Sequence, residues 1–162
     1  MGNKRVVADS SRCIGCQTCM AACIEAHDIP GNIAAPRLRV TRTYEISAPV
    51  ACHHCEDAPC AKACPTGALF FDPKNHRIGV NEDNCIGCAV SVATTQVPVL
   101  MGDVRVGSQT KSFVLKCDLC VDRPGGPACA EACPTKGLTL VDEERLAELT
   151  AERARATIEN EA

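Results

Sequence analysis

The chain carries its hydrophobic side chains in short runs, separated by polar and cysteine-bearing stretches. Residues 4–8, 38–46, 69–71, 78–80, 104–106, 113–115 and 138–141 are alternating or β-branched, a pattern that predicts strands of few residues. Short helices are expected where the chain leaves its cysteine loops, at residues 17–26, 59–63 and 128–132. Residues 142–160 differ: Leu146, Leu149, Ala156 and Ile158 recur among Glu and Arg at helix-like spacing. Two readings of that segment stay open, a solvated terminal helix packed on its own domain and a docking arm for a partner or a neighbouring copy.

Elements this small need a core, and the composition offers little for one. The 162 residues include no Trp, one Tyr and three Phe. Aromatic side chains normally supply much of the buried area, so Val, Ile, Leu and Ala must do so here. The chain holds 14 Cys, a density at which covalent bridges or metal hold a fold together. The opening Met1-Gly2-Asn3-Lys4-Arg5-Val6-Val7-Ala8-Asp9 turns polar before an apolar secretion signal develops. No later run approaches a membrane span. A cytoplasmic location without membrane insertion is therefore expected, unless the protein crosses a membrane as cargo on a partner. Reducing conditions there favour metal over disulfides. The net charge of −3 says little about partners, but the lack of a basic stripe and of stacking aromatics excludes nucleic acid.

The cysteines form four groups: Cys13, Cys16, Cys19 and Cys23; Cys52, Cys55, Cys60 and Cys64; Cys85 and Cys88; and Cys117, Cys120, Cys129 and Cys133. The groups resemble one another. Cys-Ile-Gly-Cys occurs at 13–16 and 85–88, and Cys64-Pro65-Thr66-Gly67 is echoed by Cys133-Pro134-Thr135-Lys136. This self-similarity indicates duplication of a small unit. A single C-x2-C is a weak signal, shared by zinc ribbons and redox dithiols. Three complete groups, two of them ending in Cys-Pro, fit iron–sulfur clusters instead. In the bacterial C-x2-C-x2-C-x3-C-P pattern, three cysteines wrap one cluster and the fourth serves its neighbour. Group one keeps this spacing with Ile24 in place of Pro. Proline after the last cysteine biases that cysteine toward extended backbone, which turns its side chain away from its own loop.

The whole length resembles the four-cluster polyferredoxin subunits that accompany molybdenum and tungsten oxidoreductases. These include formate dehydrogenases, formate hydrogenlyase, dimethyl sulfoxide reductase and tungsten-dependent aldehyde oxidoreductase. The stretches Cys52-His53-His54-Cys55-Glu56-Asp57-Ala58-Pro59-Cys60 and Lys116-Cys117-Asp118-Leu119-Cys120 carry the likeness most closely. The resemblance implies an outer cluster pair from groups one and four and an inner pair from groups two and three. It implies one [4Fe-4S] cluster on Cys13, Cys16, Cys19 and Cys133, and a second on Cys117, Cys120, Cys129 and Cys23.

Group three departs from that pattern. It reads Cys85-Ile86-Gly87-Cys88-Ala89-Val90-Ser91-Val92-Ala93-Thr94-Thr95-Gln96, with Ser91 and Thr95 at the cysteine positions and Gln96 at the proline. Under the family's crossed pairing, Cys52, Cys55 and Cys60 lack a fourth thiolate at Thr95, and Cys85, Cys88 and Cys64 lack one at Ser91. Three arrangements stay open. Each inner site takes a [3Fe-4S] cluster, or Ser91, Thr95 or a water ligates the fourth iron of a [4Fe-4S] cluster, or the sites are partly or wholly empty. Retention of all six cysteines argues mildly against emptiness, because free thiols are oxidation liabilities. Roughly fourteen to sixteen irons per chain would indicate four filled sites, and about eight only the outer pair.

The remaining residues invite ordinary explanations. His53 and His54 are expected to pack or hydrogen-bond near a cluster, His27 and His76 to lie on the surface, and Asp9 and Asp118 to serve turns or caps. Gly15 and Gly87 suit close approach of backbone to a cluster. Pro30-Gly31 and Pro124-Gly125-Gly126-Pro127 punctuate loops, and the latter lacks the GK[ST] of a phosphate loop. No nucleophile–base pair or pair of carboxylates can be assigned, so no catalytic residue is expected.

The expected fold is α+β: two interleaved ferredoxin-like modules of short antiparallel hairpins and short helices, plus a C-terminal helix. Residues 1–51 and 99–141 would form the outer module, 52–98 the inner one, and 142–162 a helical tail. The expected function is electron relay between a molybdenum- or tungsten-pterin subunit oxidising formate or aldehyde and a further subunit carrying flavin or hydrogenase chemistry. Copies stacking head to tail into a filament are a further expectation. Two other classes stay open, a free ferredoxin-like carrier and a zinc-binding interaction module.

Overall fold

A computed structural model of the chain describes residues 2–27, 35–95, 100–106 and 109–161. Gln96, Pro30 and Gly31 lie outside the described residues. In chain order the elements are β1 (Arg5–Ala8), α1 (Thr18–Ala26), β2 (Leu38–Arg42), β3 (Ser47–Ala51), α2 (Pro59–Lys62), β4 (Leu69–Asp72), β5 (Arg77–Val80), α3 (Val90–Ala93), β6 (Leu100–Val106), β7 (Gln109–Leu115), α4 (Ala128–Glu131), β8 (Leu138–Val141) and α5 (Glu143–Glu161). This is the α+β architecture of small hairpins and short helices that the residue pattern implies.

Among the described residues the strands form four separate two-stranded antiparallel ladders: β1 with β8, β2 with β3, β4 with β5, and β6 with β7. A lone two-stranded ribbon is marginal in water, so each must lean on something else. The β1–β8 ladder pairs Arg5 with Val141 and Ala8 with Leu138. It buries Val6 and Leu138 beside Cys19, Cys23, Cys117, Cys129, Leu38 and Leu119. Helices α1 and α4 pack against each other over that core. Elsewhere Phe113, Val114 and Leu115 of β7 bury against Ala68 and Cys85. Leu69 of β4 and Ile78 of β5 close over Ala58 and Cys60. Cysteine thus stands in every core where a larger protein would place Leu or Phe.

Two elements depart from the expected pattern for physical reasons. The run 38–46 is not one strand: Thr43 accepts the Ile46 amide on its Oγ1 at 3.1 Å and donates its own amide to the Ile46 carbonyl at 2.8 Å, so the chain turns. The return strand β3 contains Pro49 opposite Val40. Proline survives there because each strand of a two-stranded ladder has one open edge. Helix α3 at Val90–Ala93 was not among the expected elements; the branched Val90 and Val92 disfavour helix.

Helix α5 begins at Asp142, whose carboxylate accepts the Arg145 amide at 3.0 Å in an N-cap. Leu146 and Leu149 are half-buried near β8, while Ile158 is 70% exposed. The first turns of α5 pack on the protein, and the later ones stand in solvent. Among the described residues no helix is long and apolar enough to cross a membrane.

Candidate metal centres

All four C-x2-C loops bend the same way. The residue before the second cysteine adopts a left-handed backbone in each: Gly15 at φ 66°, His54 at 47°, Gly87 at 68° and Leu119 at 63°. Side-chain-bearing residues resist this conformation by roughly 1–2 kcal/mol, so the repeated curl is imposed rather than preferred. It turns the backbone sharply between the two cysteines of each loop. At Gly87 the space also demands glycine, since a Cβ would lie 2.8 Å from the carbonyl oxygen of Ser112. The curl recurs after the Cys-Pro-Thr segments, at Gly67 (φ 65°) and Lys136 (φ 52°). Sequence inspection finds the glycines. It misses His54, Leu119 and Lys136, and the positional repeat was the signal that could have found them.

All fourteen cysteines are free thiols. Groups one and four converge: Cys19, Cys23, Cys117 and Cys129 share one buried core, with Cys133 at its margin. The contacts cross between groups. Cys16 is held below its ordinary value mainly by the Thr18 hydroxyl at 3.3 Å, against the like charge of Cys133, which raises it. Cys129, pushed up to about 12 by burial, feels Cys117, Cys23, Cys120 and Cys19. Burial likewise raises Cys117 to about 12 and Cys19 to about 11. These deep thiols hold their protons unless a cation arrives to exchange for them.

Donors meet several of the sulfurs. The Arg37 and Gly137 amides point at Cys23 and Cys133, each at 3.3 Å. The His54 amide lies 3.5 Å from Cys52. The hydroxyls of Thr66 and Thr135 sit 3.7 and 3.5 Å from Cys64 and Cys133, at matching places in the two repeats. Burial works against ionisation at Cys133, yet these donors hold its thiol below the ordinary value.

Groups two and three meet less symmetrically. Cys52 and Cys60 are buried, Cys55 is exposed, and charge on Cys52 raises Cys60, whose own burial is the larger cause. Cys64, Cys85, Cys88 and Ser91 instead line one cavity walled by Leu69, Val80, Val90 and Val114. Thr95 is not among the described residues lining it.

Charged residues around the sulfurs are where expectation and structure diverge. His27 is no surface residue: its side chain is 11% exposed, its Nε2 lies 3.0 Å from Asp118, and Cys23 and Cys120 lie within 4 Å of the ring nitrogens. Asp118, with support from both sulfurs, pushes His27 up to about 12, so the ring is an imidazolium. Asp118 does serve the turn expected of it, accepting the Cys120 amide at 3.0 Å. It also pairs with Arg37 at 2.5 Å. Burial opposes its ionisation, but these partners hold it well below the carboxylate range. The ligand atoms of His27, Asp118 and Cys120 lie within 4.8 Å of one another, with the His27 Nε2 already paired to Asp118. His76 is half-buried, and its carbonyl accepts the Lys4 amide at 2.9 Å. Asp9 accepts the Ser11 amide and hydroxyl, the turn chemistry expected of it.

Composition did not single out Lys116 or Asn3. Lys116 is 3% exposed, and burial lowers its pKa against the pull of Cys52, Cys117 and Cys60. Asn3 donates to the His54 carbonyl at 2.7 Å. His54 itself is fully buried and its Nδ1 accepts the Ile78 amide at 3.1 Å. Burial, with Lys116 and Arg77 nearby, drives it down to about 3, so the ring is neutral with its proton on Nε2. That Nε2 has no acceptor among the described residues. A buried donor of this kind calls for an acceptor from outside the described residues, and the sulfide of a cluster is one.

Comparison with known proteins agrees. A family described as 4Fe-4S dicluster domain matches residues 43–143, and a second of the same description matches residues 12–69. The chain is 37% identical over 172 residues to electron transport protein HydN of Escherichia coli K12, covering 96% of this chain and 97% of that one. It is 40% identical over 151 residues to the putative electron transport protein YsaA of the same strain, covering 89% and 93%. Formate hydrogenlyase subunit 2 of that strain is 35% identical over 184 residues, covering 96% and 90%. With its cysteine loops, its hairpins and these relatives in agreement, the chain belongs to the 4Fe-4S dicluster family of electron-transfer proteins.

Proposed function

We propose that this chain is the non-catalytic wiring subunit of an oxidoreductase complex, relaying single electrons between a pterin-bearing active-site subunit and another redox partner. Cys13, Cys16, Cys19 and Cys133 would hold one [4Fe-4S] cluster, and Cys117, Cys120, Cys129 and Cys23 a second. Cys52, Cys55 and Cys60 would hold a third cluster, and Cys64, Cys85 and Cys88 a fourth. Residues 1–51 with 99–141, and 52–98, would be the outer and inner modules, and 142–162 the tail.

The observation that carries this is the convergence of groups one and four, in which Cys19, Cys23, Cys117 and Cys129 share one buried core with Cys133 packed against it. Such convergence supports two sets of four sulfurs that exchange a ligand, which two independent zinc fingers would not need. When bound, the clusters supply the one-electron chemistry. The chain's residues set its conditions: amide and hydroxyl donors steady the sulfurs, Lys116 and His27 place positive charge beside them, and the apolar walls keep water away. Formate hydrogenlyase subunit 2 is named for its complex, which supports a partner of that class, as does the exposed outer part of α5. The relatives' names as electron transport proteins support a carrier role rather than catalysis.

The test is anaerobic purification of the tagged chain from its native host. Brown protein with about eight or more irons, bleached by a strong reductant and accompanied by a large metal-pterin subunit, is the expected result. Brown protein purifying alone would make it a free carrier, and colourless zinc-loaded protein would overturn the reading.

A further inference from the structure

We propose that Ser91 is the fourth protein ligand of the cluster held by Cys64, Cys85 and Cys88, its Oγ standing where the repeat elsewhere has a sulfur. This rests on the iron–sulfur reading of the chain and deepens it. The case begins with backbone. In group one, Cys16 is followed by Gln17 at φ 65°, ψ 6°, and then α1 opens with Thr18 and Cys19. In group three, Cys88 is followed by Ala89 at φ 59°, ψ 5°, and α3 opens with Val90 and Ser91. The two chains turn identically, and Ser91 takes the place of Cys19.

The side chain follows the backbone. Cys19 is 7% exposed and Ser91 5%. Ser91 lines the same cavity as the three cysteines, otherwise walled mainly by apolar side chains. Its carbonyl accepts from Thr94 and Thr95, but its own hydroxyl has no hydrogen-bond partner among the described residues. A hydroxyl not committed to a bond within the chain can turn into the cavity it lines, and iron is the partner that three adjacent thiolates would bring.

The other substituted position behaves differently. Thr95 stands where group one has Cys23, and its hydroxyl donates back to the Ser91 carbonyl at 3.1 Å. That local bond is a usual resting place for a helix-end threonine. Loss of cysteine at 95 therefore removes a ligand, whereas loss at 91 exchanges one.

On ligation the Ser91 O–H bond breaks as the Fe–O bond forms, and the proton leaves to solvent; no electron changes hands. Oxygen is a harder donor than sulfur and favours the more oxidised iron. The cluster should accordingly have a lower potential than its all-cysteine counterpart.

The experiment is Mössbauer and low-temperature electron paramagnetic resonance spectroscopy on the full chain, purified anaerobically with isotope-enriched iron. Wild type is compared with Ser91→Ala, Ser91→Cys and Thr95→Ala. Ser91→Ala is expected to lose iron and show a three-iron signal larger than wild type's by one cluster per chain. Ser91→Cys should keep its four-iron count and raise the potential of one cluster alone, and Thr95→Ala should change neither. Identical iron content and three-iron signal in Ser91→Ala and wild type would overturn the proposal. If Ser91→Ala does not assemble, identical potentials in Ser91→Cys and wild type would overturn it equally. Wild type without any iron would remove the underlying iron–sulfur reading, whereas intact outer clusters with unresponsive Ser91 variants would remove this assignment alone.

Discussion

The ammonium group of Lys116 donates to the carbonyl oxygen of Ile78 and, at 2.9 Å, to that of Cys117. It is thereby fixed among Cys52, Cys60 and Cys117, whose charge supports its own. A unit charge roughly 7 Å away at an effective dielectric constant of about 20 is worth about 2 kcal/mol. For one electron that is on the order of 100 mV. Lys116→Met, similar in length but neutral, should therefore lower the potential of the clusters nearest these cysteines by that order. A redox titration followed by paramagnetic resonance checks it; unchanged potentials would show that the ammonium acts only as a strut.

Asp118 balances two cations, His27 and Arg37, in a half-buried setting. Removing its charge leaves both without a counter-ion. Surface pairs are worth almost nothing, and breaking a fully buried pair costs several kcal/mol. With Asp118 26% exposed, Asp118→Asn should cost about 2 kcal/mol by anaerobic chemical denaturation. Asp57→Asn, which breaks an exposed pair with Lys62, should change nothing measurable.

The Thr135 hydroxyl, 3.5 Å from Cys133 Sγ, should stabilise added electron density on that sulfur. Thr135→Val keeps the shape and removes the donor. Its cluster should shift negative by tens of millivolts, and Thr135→Ser should restore the potential. A Val variant at the wild-type potential would place the hydroxyl outside the electronics of the site.

Gly87 and Gly126 share a left-handed backbone but not their surroundings. A Cβ at Gly87 meets the Ser112 backbone at 2.8 Å, whereas one at Gly126 meets nothing within 4 Å. Gly126→Ala should carry only the conformational cost, roughly 1–2 kcal/mol. Gly87→Ala must also push β7 from the group-three loop, so it should be the more destabilising and should deplete inner-site iron first. Thermal unfolding together with iron analysis would separate the two.

Most of the strands were legible because two to four branched or apolar residues between cysteine loops leave few alternatives. Residues 69–71 and 138–141 became β4 and β8 almost unchanged. Strand β3 was not, because Ser47-Ala48-Pro49-Val50-Ala51 carries no alternation and a proline. The pairing of β1 with β8 was equally hidden, since nothing local links Arg5 to Val141. At the candidate sites, spacing alone named the cysteines. What spacing could not name was Lys116 and His27, whose roles depend on burial created by distant segments.

That same β1–β8 ladder bears on how the molecule is made. Arg5 cannot meet Val141 until nearly the whole described chain has left the ribosome. During translation the early cysteines must wait, exposed to oxygen and stray metals, for partners not yet synthesised. Under the proposed ligand sets, manufacture of such a chain favours completed polypeptide as the substrate for cluster delivery, and the second and third groups would mature before the first.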